Sequence, residues 1–103
     1  MKNTLKNGSV RVIIFKDKKE WVGAVLELNI VETGNDPQVL MLSLEEAVRG
    51  YVEVSAKHRL DVSVINQKPD PEYEKMWNDF MRRKTPLPSV YSANIFSLRA
   101  LAK

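Results

Sequence analysis

The first third of the chain alternates apolar runs with polar breaks, as antiparallel strands do. The run VRVIIF at 10–15 is rich in β-branched residues and predicts a strand, and the polar stretch KDKKE predicts a turn into a second strand at Trp21. A third apolar run, at 28–31, leads to Gly34. The pattern predicts a three-stranded antiparallel meander, in which the break near Glu27 is either a tight turn or a bulge.

A helical periodicity follows the meander. Asp36 offers a side-chain oxygen to cap a helix, and Pro37 suits the first turn because its missing N–H has no helical partner there. The apolar positions that share one face are Leu40, Leu44, Ala47, Val48 and Tyr51. This spacing predicts one long helix across a face of the sheet. Gly50 inside it marks either close packing or a slight bend, because an interior glycine costs about 1 kcal/mol relative to alanine.

The remaining third of the chain is less regular. The run DVSVI at 61–65 alternates and predicts a fourth strand, and Asp70 then caps a second helix that ends near Arg83. Pro86 stops that helix, and the apolar residues at 90–101 follow no period that assigns them a structure.

The fold class expected from these patterns is α+β, with three to four antiparallel strands covered by one long helix. This domain occupies residues 1–66, and residues 67–103 form an accessory helix and an apolar tail that are not an independent domain. A chain of 103 residues without cysteine relies on packing rather than on disulfides. Because the sequence has neither a signal peptide nor a membrane-spanning apolar run, we expect a cytoplasmic protein without membrane contact.

The formal net charge of +3 permits contact with a nucleic acid or an acidic partner but does not require it. The basic side chains form two short clusters, Lys16, Lys18 and Lys19 in the predicted hairpin turn and Arg82, Arg83 and Lys84 after the second helix. Two interpretations are open: solvated charges of a turn and a helix end, or a contact surface for a polyanion or a protein partner.

Few residues in this chain suit catalysis. The one histidine, His58, falls near the end of the long helix, where the helix dipole favours a cation. Glu45 and Glu46 are adjacent, so they point about 100° apart on a helix and do not form a facing acid pair. The chain has no glycine-rich phosphate loop and no nucleophile elbow. We therefore expect a protein that is not an enzyme and that uses no cofactor and no metal.

The segment WVGAVLELNIVETG, followed by NDPQVLMLSLEEAVRGYV, resembles the HicB-like antitoxin domain. That family combines an aromatic strand, an LEL or PEL element, an apolar strand ending in glycine, and a capped helix with Glu-Ala and an aromatic-aliphatic pair. The matching residues are Trp21, Leu26, Glu27, Leu28, Ile30, Val31 and Gly34 in the strands and Leu44, Glu46, Ala47, Val48, Tyr51 and Val52 in the helix. The resemblance covers residues 10–60, with Asp36 where the family usually has a threonine cap.

The resemblance implies a truncated RNase H-like sheet with a helix across it. RNase H chemistry uses carboxylates on the first strand and neighbouring elements to hold two Mg²⁺ ions, whereas VRVIIF contains no acid. HicB-like antitoxins typically neutralise HicA, a small RNA-cleaving toxin, so the implied partner is a HicA-like toxin bound by protein–protein contact. The alternatives are a solitary HicB-like module that binds RNA or another nucleic acid and, as a third class, an orphan hydrolase.

Two features depart from the family pattern. Val39 and Leu40 replace the common Glu-Ala at the start of the helix, which makes its first turn more apolar and favours contact with the C-terminal extension or a second subunit. No ribbon-helix-helix or helix-turn-helix follows Pro86, so direct repression of an operon is not expected. An uncovered sheet edge, an uncovered sheet face and the apolar tail predict a homodimer, with the tail folded over its own sheet or exchanged.

The last expectation concerns the residues that anchor the fold. These are Trp21, Leu26, Leu28, Gly34, Asp36, Leu44, Ala47 and Tyr51. Aromatic residues at apolar strand and helix positions are more often part of a core than platforms for nucleic-acid bases.

Overall fold

The chain folds as an α+β structure, and a computed structural model describes its residues 3–4, 7–83 and 90–101. The elements are β1 (Ser9–Asp17), β2 (Glu20–Val25), β3 (Ile30–Gly34), α1 (Pro37–Lys57), α2 (Pro71–Met81), β4 (Val90–Ser97) and α3 (Leu98–Leu101). Short 3-10 helices occupy Leu26–Leu28 and Val62–Ile65. The α+β class, the antiparallel sheet, the long helix and the second helix predicted from sequence are all confirmed.

The four strands form one antiparallel sheet in the order β3-β2-β1-β4. β1 lies in the interior of the sheet, and its Ile14 stands opposite Gly23 of β2 and Ser92 of β4. The β1–β4 register shifts between Ile14 and Phe15, where β4 contains a bulge. The predicted three-stranded meander is present, and the tail residues of β4 add a strand at the other side of β1.

Both faces of the sheet are covered, each by a different helix. On one face, α1 packs with a buried cluster of Val10, Val12, Ile14, Val25, Leu28, Leu40, Leu44, Val48, Val52, Ile65 and Leu98. On the opposite face, Met76 and Trp77 of α2 pack with Ile13, Phe15, Val22, Ala24 and Leu26. The second helix therefore covers the sheet face that the sequence pattern left open, so the expectation of an uncovered face is wrong. None of the described helices is long and apolar enough to cross a membrane.

A glycine in β2 allows α1 to lie close to the sheet. A Cβ atom built on Gly23 would lie 2.4 Å from Leu44 Cδ1 and 3.3 Å from Leu40 Cγ. Heavy atoms do not approach this closely without rearrangement, so a larger side chain here would push against the helix. Gly23 and the leucines of α1 thus set the distance between helix and sheet.

The break in the apolar pattern after β2 is a tight turn. Leu26–Leu28 form a single 3-10 turn, and Asn29 ends it in the left-handed conformation with φ of 52°. Leu26 is buried in the α2-side cluster and Leu28 in the α1-side cluster, so the turn supplies an apolar side chain to each face. Of the two sequence-based interpretations, the tight turn is correct and the bulge is wrong.

One prediction about local structure is wrong, and one of the two interpretations of Gly50 is excluded. Residues 61–65 do not form a strand, because the Asp61 carboxylate accepts the Ser63 N–H and the Asn66 side chain donates to the Val62 carbonyl, which together close a 3-10 turn. Gly50 does not mark close packing, since a Cβ atom there would meet nothing within 4 Å. The second helix is also slightly shorter than expected and ends at Met81.

Candidate protein-binding surface

The start of α1 is fixed by its cap. The Asp36 carboxylate accepts the backbone N–H groups of Gln38 at 2.8 Å and Val39 at 3.2 Å, which confirms its predicted capping role. This cap sets which side chains of the first turn point inward. Leu40 is 3% exposed against the sheet, whereas Val39 next to it is 62% exposed.

An apolar surface lies on the outer side of this first part of α1. Leu42 is 64% exposed and stands three residues after Val39, so the two side chains lie on the same side of the helix. We call this pair the α1 patch. A shallow depression of about 340 Å³ runs from Gly34 at the end of β3 to Val39 and Ser43, and a second of about 500 Å³ continues along Leu42.

Acidic side chains surround the α1 patch. Glu45 and Glu46 line the second depression with Arg49, whose guanidinium lies 3.6 Å from the Glu45 carboxylate. On the β3 side, Glu32 accepts a 2.6 Å hydrogen bond from the Ser43 hydroxyl. Together with the capping carboxylate of Asp36, these groups give an apolar centre a predominantly negative rim.

The basic residues predicted as contacts lie elsewhere. Lys16, Lys18 and Lys19 are exposed at the β1–β2 hairpin, and Arg82 and Arg83 are exposed just after α2. Lys16 is on the α1 side of the sheet, where its ammonium lies 4.8 Å from the centroid of the Trp21 ring, while α2 covers the opposite face. Lys16 and the end of α2 therefore lie on different sides of the sheet, and Lys84 falls outside the described residues. Their contact role stays a prediction.

The residues predicted to anchor the fold separate into buried and partly buried groups. Leu26, Leu28 and Leu44 are at most 3% exposed. Trp21 is a core-edge residue, packed beside the α1-side cluster and in edge-to-face contact with Tyr91 at 5.3 Å between ring centroids.

Gly34, Ala47 and Tyr51 are partly buried. A Cβ on Gly34 would only reach ordinary contact with Leu40, at 3.9 Å, so no steric need for glycine is found there. The Tyr51 hydroxyl donates to the Val64 carbonyl at 2.8 Å and accepts from Gln67, which ties α1 to the 3-10 turn at 62–65.

An ion-pair network that the sequence pattern did not reveal joins β1, the LEL turn and α2. Arg11 donates from its backbone N–H and from Nε to the two oxygens of Glu27, at 2.7 and 2.6 Å, and from Nη2 to Glu74 at 3.2 Å. Its guanidinium lies 5.8 Å from the Trp77 ring centroid. Burial opposes the charge of Arg11, but the hydrogen bonds and charges of Glu27 and then Glu74 outweigh burial and raise its pKa.

No family model, curated protein or solved structure matches this chain. The resemblance to the HicB-like domain therefore rests on the order and spacing of residues 10–60. His58 is exposed and forms the C-cap of α1 directly after Lys57, close to the helix end where the sequence placed it. Within residues 3–4, 7–83 and 90–101, no three His, Cys, Asp or Glu side chains are grouped to hold a metal ion.

The α1 patch itself was only partly predictable. The apolar character of Val39 was visible in the sequence, but its outward direction depends on where the Asp36 cap starts the helix. Leu42 lies outside the apolar stripe that predicts the buried face of α1. The sequence feature that could have predicted the patch is the pair Val39 and Leu42, which are spaced three residues apart on another side of the helix. That signal indicates exposure without indicating a partner.

Proposed function

We propose that this chain is a HicB-like binding protein that neutralises a small, RNA-cleaving, HicA-like toxin by protein–protein contact. The observation that carries the proposal is the α1 patch, in which Val39 and Leu42 are 62% and 64% exposed inside an acidic rim. The resemblance to HicB-like antitoxins supports the class of partner. The proposed site of action is the cytoplasm, where such a toxin would meet its RNA substrates.

The chemistry of the patch suits a toxin of this kind. A protein that cleaves RNA has to bind phosphates and therefore carries lysine and arginine on its working surface. The rim of Glu32, Asp36, Glu45 and Glu46 is complementary to such a surface and would accelerate encounter. Val39 and Leu42 would supply the apolar centre that gives an interface most of its affinity.

We further propose that the chain does not itself cleave nucleic acid. The proposal rests on the resemblance to an RNase H-like sheet, because the run VRVIIF in its first strand has no carboxylate to hold Mg²⁺, and the acid of β1, Asp17, lies at the end of the strand beside the hairpin turn. Incubation of the purified protein with labelled RNA and with an RNA–DNA hybrid, with and without Mg²⁺, should leave both substrates intact. Metal-dependent cleavage that persists through repurification would overturn this part of the proposal.

The antitoxin proposal is tested with a defined toxin. A short reading frame beside this gene that has a HicA-like histidine and glycine pattern is expressed alone, where it should arrest growth, and then with this chain, where growth should recover. Binding of the purified toxin, carrying a substitution of its catalytic histidine, is measured by titration calorimetry.

The structure selects the variants for that titration. Leu42→Lys should weaken toxin binding at least about 30-fold, a loss of about 2 kcal/mol, because it removes an apolar anchor and opposes a basic partner. Val62→Lys is the matched control, since Val62 is also exposed, at 46%, but lies in the 3-10 turn after α1. Equal binding by parent and Leu42→Lys, or equal loss in both variants, would refute the assignment of this surface.

The second candidate is a solitary module that binds RNA, and the exposure of Lys16, Lys18, Lys19, Arg82 and Arg83 favours it. Fluorescence anisotropy with a labelled single-stranded RNA would then show binding that weakens steeply with salt, because phosphate contacts release counterions. Lys18→Glu with Lys19→Glu should reduce that binding, whereas Leu42→Lys should not. Salt-dependent RNA binding without any toxin in the neighbouring genes would favour this candidate over the first.

A further inference from the structure

β4 is an edge strand, and no second strand pairs with its outer side in the described part of the chain. The sheet order places β4 beside β1 only. Its sequence, VYSANIFS, contains no charged residue, no proline and no glycine. Proteins usually protect edge strands with such residues, because an open row of N–H and C=O groups pairs readily with another strand. Apart from the bulge at its start, β4 lacks that protection.

The opposite edge of the sheet is protected. β3 is shorter, with five residues against eight in β4, and Glu32 places a charge in the middle of it. The residue before it, Asn29, is held by hydrogen bonds from its side chain to Gln67 and to the Lys68 carbonyl. Of the two edges, β4 is therefore the one able to add a strand.

An exposed apolar side chain marks the middle of this edge. Ile95 is 63% exposed, although it lies within a strand and opposite Arg11 of β1. A second strand alongside β4 would cover it. Isoleucine also favours the extended conformation that such pairing requires.

We propose that two copies of this chain associate by antiparallel pairing of β4 with β4, which joins their sheets into one continuous sheet. A two-fold axis perpendicular to the sheet keeps like faces together and makes one residue pair with its own copy. The regular part of β4 runs from Ser92 to Ser97, after the register shift, so that central residue is Asn94 or Ile95. An axis at Asn94 sets Ile95 opposite Ala93 of the second copy, and an axis at Ile95 sets the two isoleucines opposite each other; both bury Ile95.

Charge and symmetry favour a second copy as the occupant. Each chain carries a net charge of +3, and a strand with no formal charge lets two such chains meet without like charges face to face. In a two-fold contact each copy also donates and accepts the same backbone hydrogen bonds, so no other sequence is needed. The α1 patch lies on a helix on one face of the sheet rather than at this edge, and the dimer does not depend on the proposed toxin.

Sedimentation velocity of the full chain over micromolar to millimolar concentrations tests the proposal. The parent should form a dimer, and Ile95→Lys should raise the dissociation constant about 100-fold, because two ammonium groups would meet near the axis. Val31→Lys is the matched control: Val31 is 48% exposed on the other edge strand, and its substitution should leave the dimer intact. A monomeric parent, or a dimer that responds equally to both substitutions, would overturn the proposal.

Disulfide trapping gives a second measurement that does not require a destabilising substitution. The chain has no cysteine, so single-cysteine variants report one contact each. Oxidation should cross-link Asn94→Cys or Ile95→Cys into a dimer, because paired residues of antiparallel strands have Cα atoms at a separation that suits a disulfide. Val31→Cys should stay uncross-linked. Failure of both β4 variants to cross-link, or equal cross-linking of Val31→Cys, would contradict β4 pairing.

Discussion

Replacement of Gly23 by alanine should destabilise the protein mainly through a close contact with Leu44 of α1. The new methyl carbon would start 2.4 Å from Leu44 Cδ1, and Leu44 is fully buried, so neither atom has free space to move into. Overpacking of this kind costs about 1–3 kcal/mol. Loss of glycine flexibility in the unfolded chain returns about 0.4–1 kcal/mol. The expected net loss is about 1–2 kcal/mol in the free energy of unfolding.

A double-mutant cycle isolates that contact. Leu44→Ala alone should cost about 3–5 kcal/mol, because it leaves a cavity under α1. In the Leu44→Ala background, Gly23→Ala should cost little, since the closest atom is gone and only the 3.3 Å approaches to Leu40 remain. The coupling between the two substitutions should therefore be about 1–2 kcal/mol. Urea unfolding followed by tryptophan fluorescence gives each free energy.

The other glycines serve as controls for the same chemical change. Gly50→Ala adds a methyl group that meets nothing within 4 Å inside a helix, so it should stabilise by about 1 kcal/mol. Gly34→Ala meets Leu40 only at 3.9 Å and should change stability little. If Gly23→Ala is as stable as the parent, or costs the same with and without Leu44, close approach of α1 is not what requires glycine in β2.

Three further outcomes follow from individual side chains. Trp21→Ala should cost about 2 kcal/mol, below the range for a fully buried ring, because Trp21 is a core-edge residue; a melting temperature equal to that of the parent would contradict its anchoring role. Asp36→Ala should cost about 1 kcal/mol in urea unfolding because two N–H groups lose their acceptor, and Asp36→Asn should restore most of it. Burial, followed by the charges of Glu72, Asp70 and Asp17, raises the pKa of Tyr73, so its contribution to stability is complete below the pKa of an unfolded tyrosine and is lost as the pH rises through the folded value. Tyr73→Phe should make alkaline unfolding less steep, and an unchanged slope would count against this cause.

The elements that local chemistry determines were predictable from the sequence. Asp36 and Asp70 each carry a capping oxygen immediately before a proline, and both helices begin at that proline. The apolar residues that predict β1 and β2 lie in two strands of one hairpin, so each strand pairs with residues that are close in sequence. For these elements the side chains that decide the structure are close in sequence to the residues they organise.

Elements that depend on distant partners were not predictable in the same way. Residues 61–65 and 90–97 both contain β-branched residues, and the choice between them as a strand depends on contacts made far away. Asn3, which is 5% exposed, accepts from the Ser9 N–H and donates to the Ile65 carbonyl, and Asn66 donates to the Asn3 carbonyl. These bonds hold the 3-10 turn beside the start of β1.

The candidate binding surface also depends on residues that are distant in sequence, so the sequence alone did not predict it. The negative rim combines Glu32 from β3 with Glu46 from α1, and only the packing of strand against helix brings them to one surface. The basic clusters were conspicuous because their residues are adjacent in sequence. Their proximity in sequence made them candidates for a contact surface. It did not show whether they lie on the same surface as residues from other elements.

The position of β1 in the sheet has a consequence during synthesis of the chain. β1 is among the first elements made, and β2 can pair with it at once through the short hairpin turn. Its other neighbour is made some 80 residues later, since Ser9 pairs with Ser97 and Val10 with Phe96. Pairing between segments this far apart is slow compared with closure of a hairpin.

Until β4 arrives, the strand containing Val10, Val12 and Ile14 is itself an edge, and the α1-side cluster lacks Leu98. A nascent chain at this stage exposes its most apolar strand to chains on neighbouring ribosomes of the same polysome. We therefore expect aggregation during synthesis to depend on how long β1 lacks its β4 neighbour, a delay that the stability of the finished sheet does not determine.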